Sequence, residues 1–412
     1  SSCSEEDMFL DNQRSEDCCG CAACSNICNF SAITMKQNAE GFYYPEVDKD
    51  KCRDCGMCQK VCPMQDNYVG QTASPAIYAA RNHDENILKD SSSGGMFTLL
   101  ADWTLKQKGV VYGVAFDENY YVRHMRAETE EEVSKFRRSK YVESDVTEVY
   151  THIADDLKQN RVVLFTGTPC QVAGITKYLK ARRVNTEKFY TCDNICHGVP
   201  SRKLWRDYLD ILKKKYIAAD DEIMDVNMRS KKISWRQQTF DVKLKKGNID
   251  NIVREFSFNK IFQGLYGNRS SCFKCRYTSY KRPGDFTIGD FWTSEKVGLT
   301  FDTESGVSVI FANTQKAETV LNDLREAADF KEVSAKECWQ PHLEYAAKAP
   351  GNRAKFWEEY LSAPDREVVL RKYIKGALGI RIIRFLSPLL RKTGLYGFAG
   401  KMYKLIIVKK RS

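Results

Sequence analysis

From residue 76 onward, short apolar runs alternate with longer stretches whose apolar positions recur every three or four residues, the mark of alternating strands and helices. Ile77–Ala80 reads as a strand, and Met96–Leu105 as a helix that ends near Gly109. Val110–Phe116 and Tyr121–Ala127 read as two strands of a hairpin, and Glu130–Arg137 and Val146–Lys158 as helices. Val162–Phe165 is apolar at every position, as a parallel strand buried on both faces must be. A turn then leads into a helix to about Lys180. Phe189–Cys192 and Ser201–Lys215 repeat the strand–loop–helix unit. Such units predict an α/β or α+β domain with its site at the strand ends. Residues 222–260 read as antiparallel strands turning at Lys246–Asn248. Asp285–Trp292 and Val307–Ala312 follow as strands, Thr314–Ala328 as a helix, and residues 351–362 as helical.

The first 75 residues follow a different rule. Residues 1–17 are polar and acidic, a loose lead-in. Gly41–Pro45 suggests a short hairpin, and the polar stretch 64–75, with Gly70 and Pro75, reads as a linker. Three units are expected: residues 1–70, residues 76–345, and a helical basic extension over 346–412. The chain has 412 residues, 42% of them hydrophobic, enough for two or three domains with a substantial core. No run of about eighteen apolar residues is present, so no spanning helix is expected, and no signal peptide is read. The net charge is +10, but beyond residue 365 stand thirteen Lys or Arg against one Glu, which leaves the remainder near neutral. A nucleic-acid partner is therefore not expected.

Sixteen cysteines change the picture. Cys18, Cys21, Cys24 and Cys28 form one C-x2-C-x2-C-x3-C run; Cys52, Cys55, Cys58 and Cys62 form a second, followed by Pro63. This duplicated order is that of bacterial two-cluster ferredoxins, in which the fourth cysteine of each run ligates the other cluster. Two-residue gaps let a tight loop aim three thiolates at one cube, and the longer gap sends the last one to its neighbour. Cys18, Cys21, Cys24 and Cys62 are thus expected on one [4Fe–4S] cluster, and Cys52, Cys55, Cys58 and Cys28 on the other. A disulfide framework or zinc sites would not need this duplicated order. Asn29 departs from the pattern, where the first run would often carry proline. A chain with this many cysteines at cluster spacing is expected in a reducing cytoplasm.

Further along, Ser91–Gly95 opens a helix with hydroxyls, backbone N–H groups and a positive dipole end suited to a pyrophosphate, although serine is also a common helix cap. Phe136–Val142 adds cationic and aromatic groups. Gly167-Thr168-Pro169-Cys170-Gln171 follows the buried strand and starts a helix, where glycine allows close approach and a thiolate is stabilised. His197, beside Cys196, is a candidate proton donor or flavin contact, or an ordinary loop histidine. Cys272-x2-Cys275 supplies two ligands and needs others to complete a site.

In order, Ser-Ser-Gly-Gly, Ser-Lys-Tyr-Val, Gly-Thr-Pro-Cys-Gln, Cys-His-Gly-Val-Pro-Ser and Cys272-x2-Cys275 followed by Ile288–Trp292 resemble the family of coenzyme F420 hydrogenase/dehydrogenase beta subunits over roughly residues 15–340. The resemblance implies an N-terminal bacterial-type ferredoxin domain followed by a mixed-sheet FAD-binding domain of beta-subunit type, α+β or α/β in class. It implies an FAD-dependent iron–sulfur oxidoreductase. Members include F420-linked beta subunits and 7-hydroxymethyl chlorophyll a reductase, and relatives with a fused ferredoxin look like accessory enzymes of polysaccharide pathways. Carried over by motif, Ser92, Ser93, Gly94, Gly95, Ser139, Lys140, Gly167, Thr168, Gln171 and Gly198 are the expected flavin contacts. Cys170, Cys196, Cys272 and Cys275 are the expected ligands of a third [4Fe–4S] cluster, with Cys192 in reserve for Cys196. The expected partners are coenzyme F420 or an electron-carrier protein, and an organic substrate that the family does not specify. A non-catalytic electron-transfer subunit is the rival reading. The tail segments Ile380–Leu386 and Met402–Val408 mix apolar and basic residues. They suit either attachment to an anionic membrane, at the inner face of the cell membrane, or a helix packed on its own domain.

Overall fold

The computed structural model describes residues 14–65, 75–237 and 239–374, together with Leu10. The two tail segments lie outside the described residues. Each cysteine run begins as a loop that turns through a left-handed residue, Ala22 (φ 62°) or Gly56 (φ 68°), into a short helix, Ala23–Ile27 or Met57–Lys60. Between them, β1 (Ile33–Gln37) and β2 (Tyr43–Val47) pair antiparallel around the turn expected at Gly41. This is the N-terminal ferredoxin-like unit.

The rest is built on one mixed sheet. Its strands are β3 (Ala76–Asn82), β4 (Val110–Phe116), β5 (Val122–Ala127), β6 (Val163–Gly167), β7 (Phe189–Asn194) and, beyond a separate hairpin of β8 (Ile223–Ser230) with β9 (Thr239–Leu244), β10 (Phe286–Asp290), β11 (Ser308–Ala312) and β12 (Ala328–Glu332). Their order is β12-β3-β11-β10-β7-β6-β4-β5. The central four, β10, β7, β6 and β4, run parallel, and the flanking strands antiparallel. Val163, Leu164 and Phe165 are buried, because helices cover both faces of the sheet at this point. On one face Met96, Leu99 and Leu100 pack with Ala317, Val320 and Leu321. On the other, Ile153 and Leu157 of one helix and Val172 and Ile175 of another pack with Ala23, Ile27 and Val61 of the ferredoxin-like unit. That unit therefore shares a core with the sheet domain. A further cluster gathers Phe42, Tyr44, Trp205, Tyr208, the β8–β9 hairpin and, from the helices Arg353–Ser362 and Arg366–Ile374, Phe356, Tyr360 and Leu370.

Two stretches differ from the pattern reading. Residues 250–264 form helices, Asp250–Glu255 and Phe258–Gly264, rather than strand. Ile249, Val253 and Phe256 recur at helical spacing and are all buried, a periodicity that β-branched and aromatic composition disguises. The helix expected over Thr314–Ala328 stops at Asp323, and the chain returns as β12, an edge strand whose sequence ADFKE is half polar. Among the described residues no helix is long and apolar enough to cross a membrane.

One guanidinium joins the two units. Arg269 is fully buried; its Nε donates to Glu143 Oε1 at 2.9 Å and its Nη1 to the Tyr43 carbonyl at 3.3 Å. The same group lies over the Phe42 and Tyr44 rings, 5.1 and 4.4 Å from their centroids. Gly20, in the first cysteine loop, is left-handed (φ 73°), and a side chain there would run into that guanidinium. A second tie runs from Arg353 Nη1 to Glu40 Oε1 at 3.0 Å.

Two expectations follow from this packing. Glu143→Ala leaves a buried cation without its partner, and such a loss costs about 3–5 kcal/mol. An exposed pair such as Lys36–Glu46 contributes at most about 1 kcal/mol. Thermal unfolding should show a large drop in midpoint for Glu143→Ala and almost none for Glu46→Ala; equal shifts would contradict the clamp. Gly94→Ala places a Cβ 2.5 Å from both the Ala80 carbonyl and the Ser308 amide, so it should destabilise the whole fold by about 1–3 kcal/mol. Unchanged unfolding of that variant would show that the strands move apart freely there.

Candidate functional site

The carboxyl ends of β6, β7 and β10 emerge side by side, and each continues into a loop that carries chemistry. After β6, Thr168 caps the helix Pro169–Ala181: Gln171 Oε1 accepts from the Thr168 amide and hydroxyl, both at 3.0 Å, and Gln171 Nε2 donates to Ser144 Oγ at 3.0 Å. This box holds Cys170 in the first turn, its Sγ 3.3 Å from Thr168 Oγ1. After β7, Gly198 turns left-handed (φ 100°) and its N–H donates to Cys196 Sγ at 3.4 Å. A Cβ at Gly198 would stand 2.5 Å from Asn268 Nδ2, so only glycine brings the Cys196 loop this close to the Cys272 turn. Cys272 lies in the 3-10 turn Ser270–Lys274, and Cys275 follows it.

These four thiols line one cavity, together with Cys19 of the ferredoxin-like unit, Ser271, His197 and His342. Burial, then the neighbouring Cys170, pushes the Cys196 thiol up to about 12. Burial and Cys170 push Cys275 to about 11, and burial and Cys196 hold Cys272 well above the usual thiol range. Contact with Cys19, then burial, does the same to Cys170. Thiols that oppose one another's ionisation in this way are a donor set for a positively charged centre, and the residues fit an iron–sulfur cluster. The sulfurs ring the cavity rather than converging on a point: among the described residues no three His, Cys, Asp or Glu side chains group tightly enough for a single ion. Cys192 lies elsewhere, buried in the sheet core with Leu164 and Phe286.

In the ferredoxin-like unit, burial and the neighbouring Cys18 and Cys62 hold Cys24 well above the usual range, and Cys21 interacts with Cys24 and Cys62. Cys58 sits beside Cys55 and Cys52, with Cys55 exposed to solvent. Cys28 Sγ accepts from the Ala32 amide at 3.4 Å.

The residues expected at a flavin lie along the same edge of the sheet, although several are already engaged. Ser139 N donates to Ser92 Oγ at 2.9 Å, so the two motif loops do meet. Ser93 Oγ donates to the Val307 carbonyl at 2.8 Å, and the Gly94 amide to Ser308 Oγ at 2.9 Å. Gly95 caps the helix Met96–Lys106 in a left-handed conformation (φ 77°). Lys140 Nζ turns back onto the carbonyls of Arg137 (2.7 Å) and Lys135 (3.0 Å), and burial pulls it down to about 7. Gly167 packs against Gln171 and His124. Thr168 and Gln171 are spent on the helix cap, and Gly198 on the cysteine loop.

Between the Ser92 loop and the cysteine cavity runs a strip whose assembly the sequence pattern does not show. Arg229, buried, pairs with Asp290 at the end of β10 and lies over Trp292, 5.2 Å from its centroid. Trp292 stacks on Trp235 at 5.4 Å. Arg229 Nε and Asp290 Oδ1 are buried without a hydrogen-bond partner. Lys231 Nζ donates to the carbonyls of Leu88 (2.8 Å), Ser93 (2.8 Å) and Ser305 (2.7 Å), tying down the Ser91–Gly95 loop. Tyr141 stacks on Phe262 at 4.3 Å; His197 lies 6.4 Å beyond Phe262 and 3.9 Å from His342. Asp290, Trp292, Tyr141 and His197 lie in motifs the sequence already marked; for Arg229, Lys231 and Trp235 the signal is the basic, tryptophan-bearing run 229–236. Buried orphan donors and acceptors between ring faces fit a polar, planar cofactor such as a flavin.

Comparison with known proteins agrees with this architecture. Residues 77–150 match the N-terminal part of the coenzyme F420 hydrogenase/dehydrogenase beta subunit, residues 160–337 match the C terminus of the same beta subunit, and residues 17–65 match the 4Fe-4S dicluster domain. The F subunit of F(420)H(2) dehydrogenase from Methanosarcina mazei is 22% identical over 345 residues, covering 80% of this chain and 87% of that protein. A chain from the F420-reducing [NiFe] hydrogenase complex of Methanosarcina barkeri, solved as a xenon derivative, superposes with a TM-score of 0.44 at 16% identity, over 75% of this chain and 91% of that one. Matched by both halves of the family's sequence signature behind an iron–sulfur domain, the chain belongs to the family of coenzyme F420 hydrogenase/dehydrogenase beta subunits.

Proposed function

We propose that this protein is an oxidoreductase dependent on FAD and three [4Fe–4S] clusters. It exchanges hydride with an organic substrate, coenzyme F420 being the first candidate, and exchanges single electrons through its ferredoxin-like unit. The observation that carries the reading is the continuity between the thiol-lined cavity and the Arg229–Asp290 strip along one sheet edge. When bound, the clusters supply one-electron transfer, and the flavin its conversion to two-electron chemistry. Cys18, Cys21, Cys24 and Cys62 hold one cluster, Cys52, Cys55, Cys58 and Cys28 the second, and Cys170, Cys196, Cys272 and Cys275 the third. Ser92 and Ser139 orient the polar end of the flavin, Lys231 keeps their loop closed, and Asp290 holds Arg229 against Trp292. His197 and His342 close the strip beside Cys196 and exclude water from it. The M. mazei relative is named for F420H2, which supports F420 as the substrate to try first. Its name also makes it one part of a larger enzyme, which favours the rival reading that this chain only delivers electrons to a partner enzyme.

Anaerobically purified protein should carry about one FAD and, at four per cluster, about twelve irons per chain. Cys272→Ala with Cys275→Ala should lose about a third of the iron and keep the electron paramagnetic resonance (EPR) signals of the ferredoxin-like unit. Iron near eight in fully reconstituted wild type would refute the third cluster. Flavin placement is tested separately: Arg229→Met should release FAD at least tenfold more readily while iron stays constant. Clusters without any flavin in the wild type would instead establish the electron-delivery reading.

A further inference from the structure

The cavity holds one thiol more than a cube needs. Cys196, Cys272 and Cys275 come from the two loops that Gly198 brings together, and Cys170 comes from the helix cap; Cys19 is the fifth. It stands next to Cys18 in sequence but is turned the other way. Cys18 Sγ accepts the Gly20 amide at 3.4 Å within its own loop and packs against the cluster around Phe42 and Tyr44, whereas Cys19 packs with Ala23 and Val61 and lines the same cavity as Cys170, across the boundary between the two units. A second feature of the cavity points to a sulfur-rich ligand. Ser271 Oγ lines the wall, its residue is 3% exposed, and the hydroxyl has no partner. A buried O–H costs about 1–3 kcal/mol if it stays unpaired, and cluster sulfurs accept such donors.

We infer that the third cluster is held at a five-thiol site shared by both units, in which Cys19 and Cys170 are interchangeable as the fourth ligand to Cys196, Cys272 and Cys275. This rests on the three-cluster reading above. The exchange balances without an oxidant or reductant. Cys19 gives up its proton and bonds to iron, the Cys170–iron bond breaks, and the Cys170 sulfur takes up a proton in its place. Because both sulfurs line the one cavity, the swap needs no rearrangement of the three other ligands. The soft donor that iron requires is kept. The off-spacing cysteine of the first run is thereby given a role: it ties the buried cluster to the unit that carries the other two.

The test counts iron and acid-labile sulfide in the reconstituted full chain, with EPR of the reduced protein. Wild type should hold about twelve irons, and Cys272→Ala, which removes a ligand that has no substitute, about eight. Cys19→Ala and Cys170→Ala should each stay near twelve, and the double variant should fall to about eight. The third-cluster EPR signal should differ between the two single variants, since each retains a different fourth ligand. If Cys170→Ala does not fold, Cys170→Ser, which keeps the volume and the cap but offers no sulfur, gives the same reading. Iron near eight in either single variant makes that cysteine obligatory and overturns the inference. Iron near twelve in the double variant overturns it as well. Iron near eight in the wild type would sink the three-cluster reading itself, and that is known before any variant is made.

Discussion

The arrangement depends on one buried cation. Removing the Arg269 guanidinium from water costs several kcal/mol, which is offset only if its hydrogen bonds and its countercharge are all in place. Glu143 comes from the loop between the helices Glu130–Ser134 and Val149–Lys158, the Tyr43 carbonyl from the ferredoxin hairpin, and the ring faces from Phe42 and Tyr44. Arg269 itself stands three residues before Cys272. A single charge thus sets the distance between the first cysteine loop, which must carry glycine at position 20 to admit it, and the turn that supplies half of the third thiol set. The two units are held in register by electrostatics at this boundary, with shared apolar packing around Ile27 and Val61 behind it.

Much of the fold could be read from periodicity, because the parallel strands are apolar throughout and the helices between them carry regular buried stripes. Val163–Phe165 and the helix Arg202–Lys215 are examples. The errors came where composition and environment disagree. The short helices over 250–264 are rich in β-branched and aromatic residues, since they plug a core on several sides at once. Strand β12 is an edge with one wet face, so half of its residues are polar. Neither feature follows from local propensity, as tertiary packing decides both.

At the site, the cysteine runs stand out in the sequence and the Arg229–Asp290 strip does not. The two N-terminal runs are visible because their thiols fall within a few residues of one another, whereas Cys170, Cys196 and Cys272 come from separate loops and meet only in the fold. A cofactor groove demands no such local pattern. Arg229, Asp290, Trp235 and Trp292 come from separate elements and meet only in the folded sheet. The motif glycines and Thr168 suit ligand contacts by sequence; in the structure much of their work is architectural, capping helices and letting backbones approach. Both demands fall on the same short motifs, so loss of a cofactor on mutating them does not by itself locate that cofactor.

The Glu40–Arg353 tie has a consequence for how the molecule is made. The partners lie 313 positions apart, so at about 5–20 residues per second the ribosome needs roughly 15–60 s to deliver the second after the first. For most of that interval the ferredoxin hairpin lacks its buried cation, which arrives with Arg269, and until its end it lacks this outer tie, whereas all eight cysteines of the two runs are made early in it. Early iron loading is then a matter of timing: clusters inserted into the nascent N-terminus would hold it folded until the rest of the chain arrives to close over it.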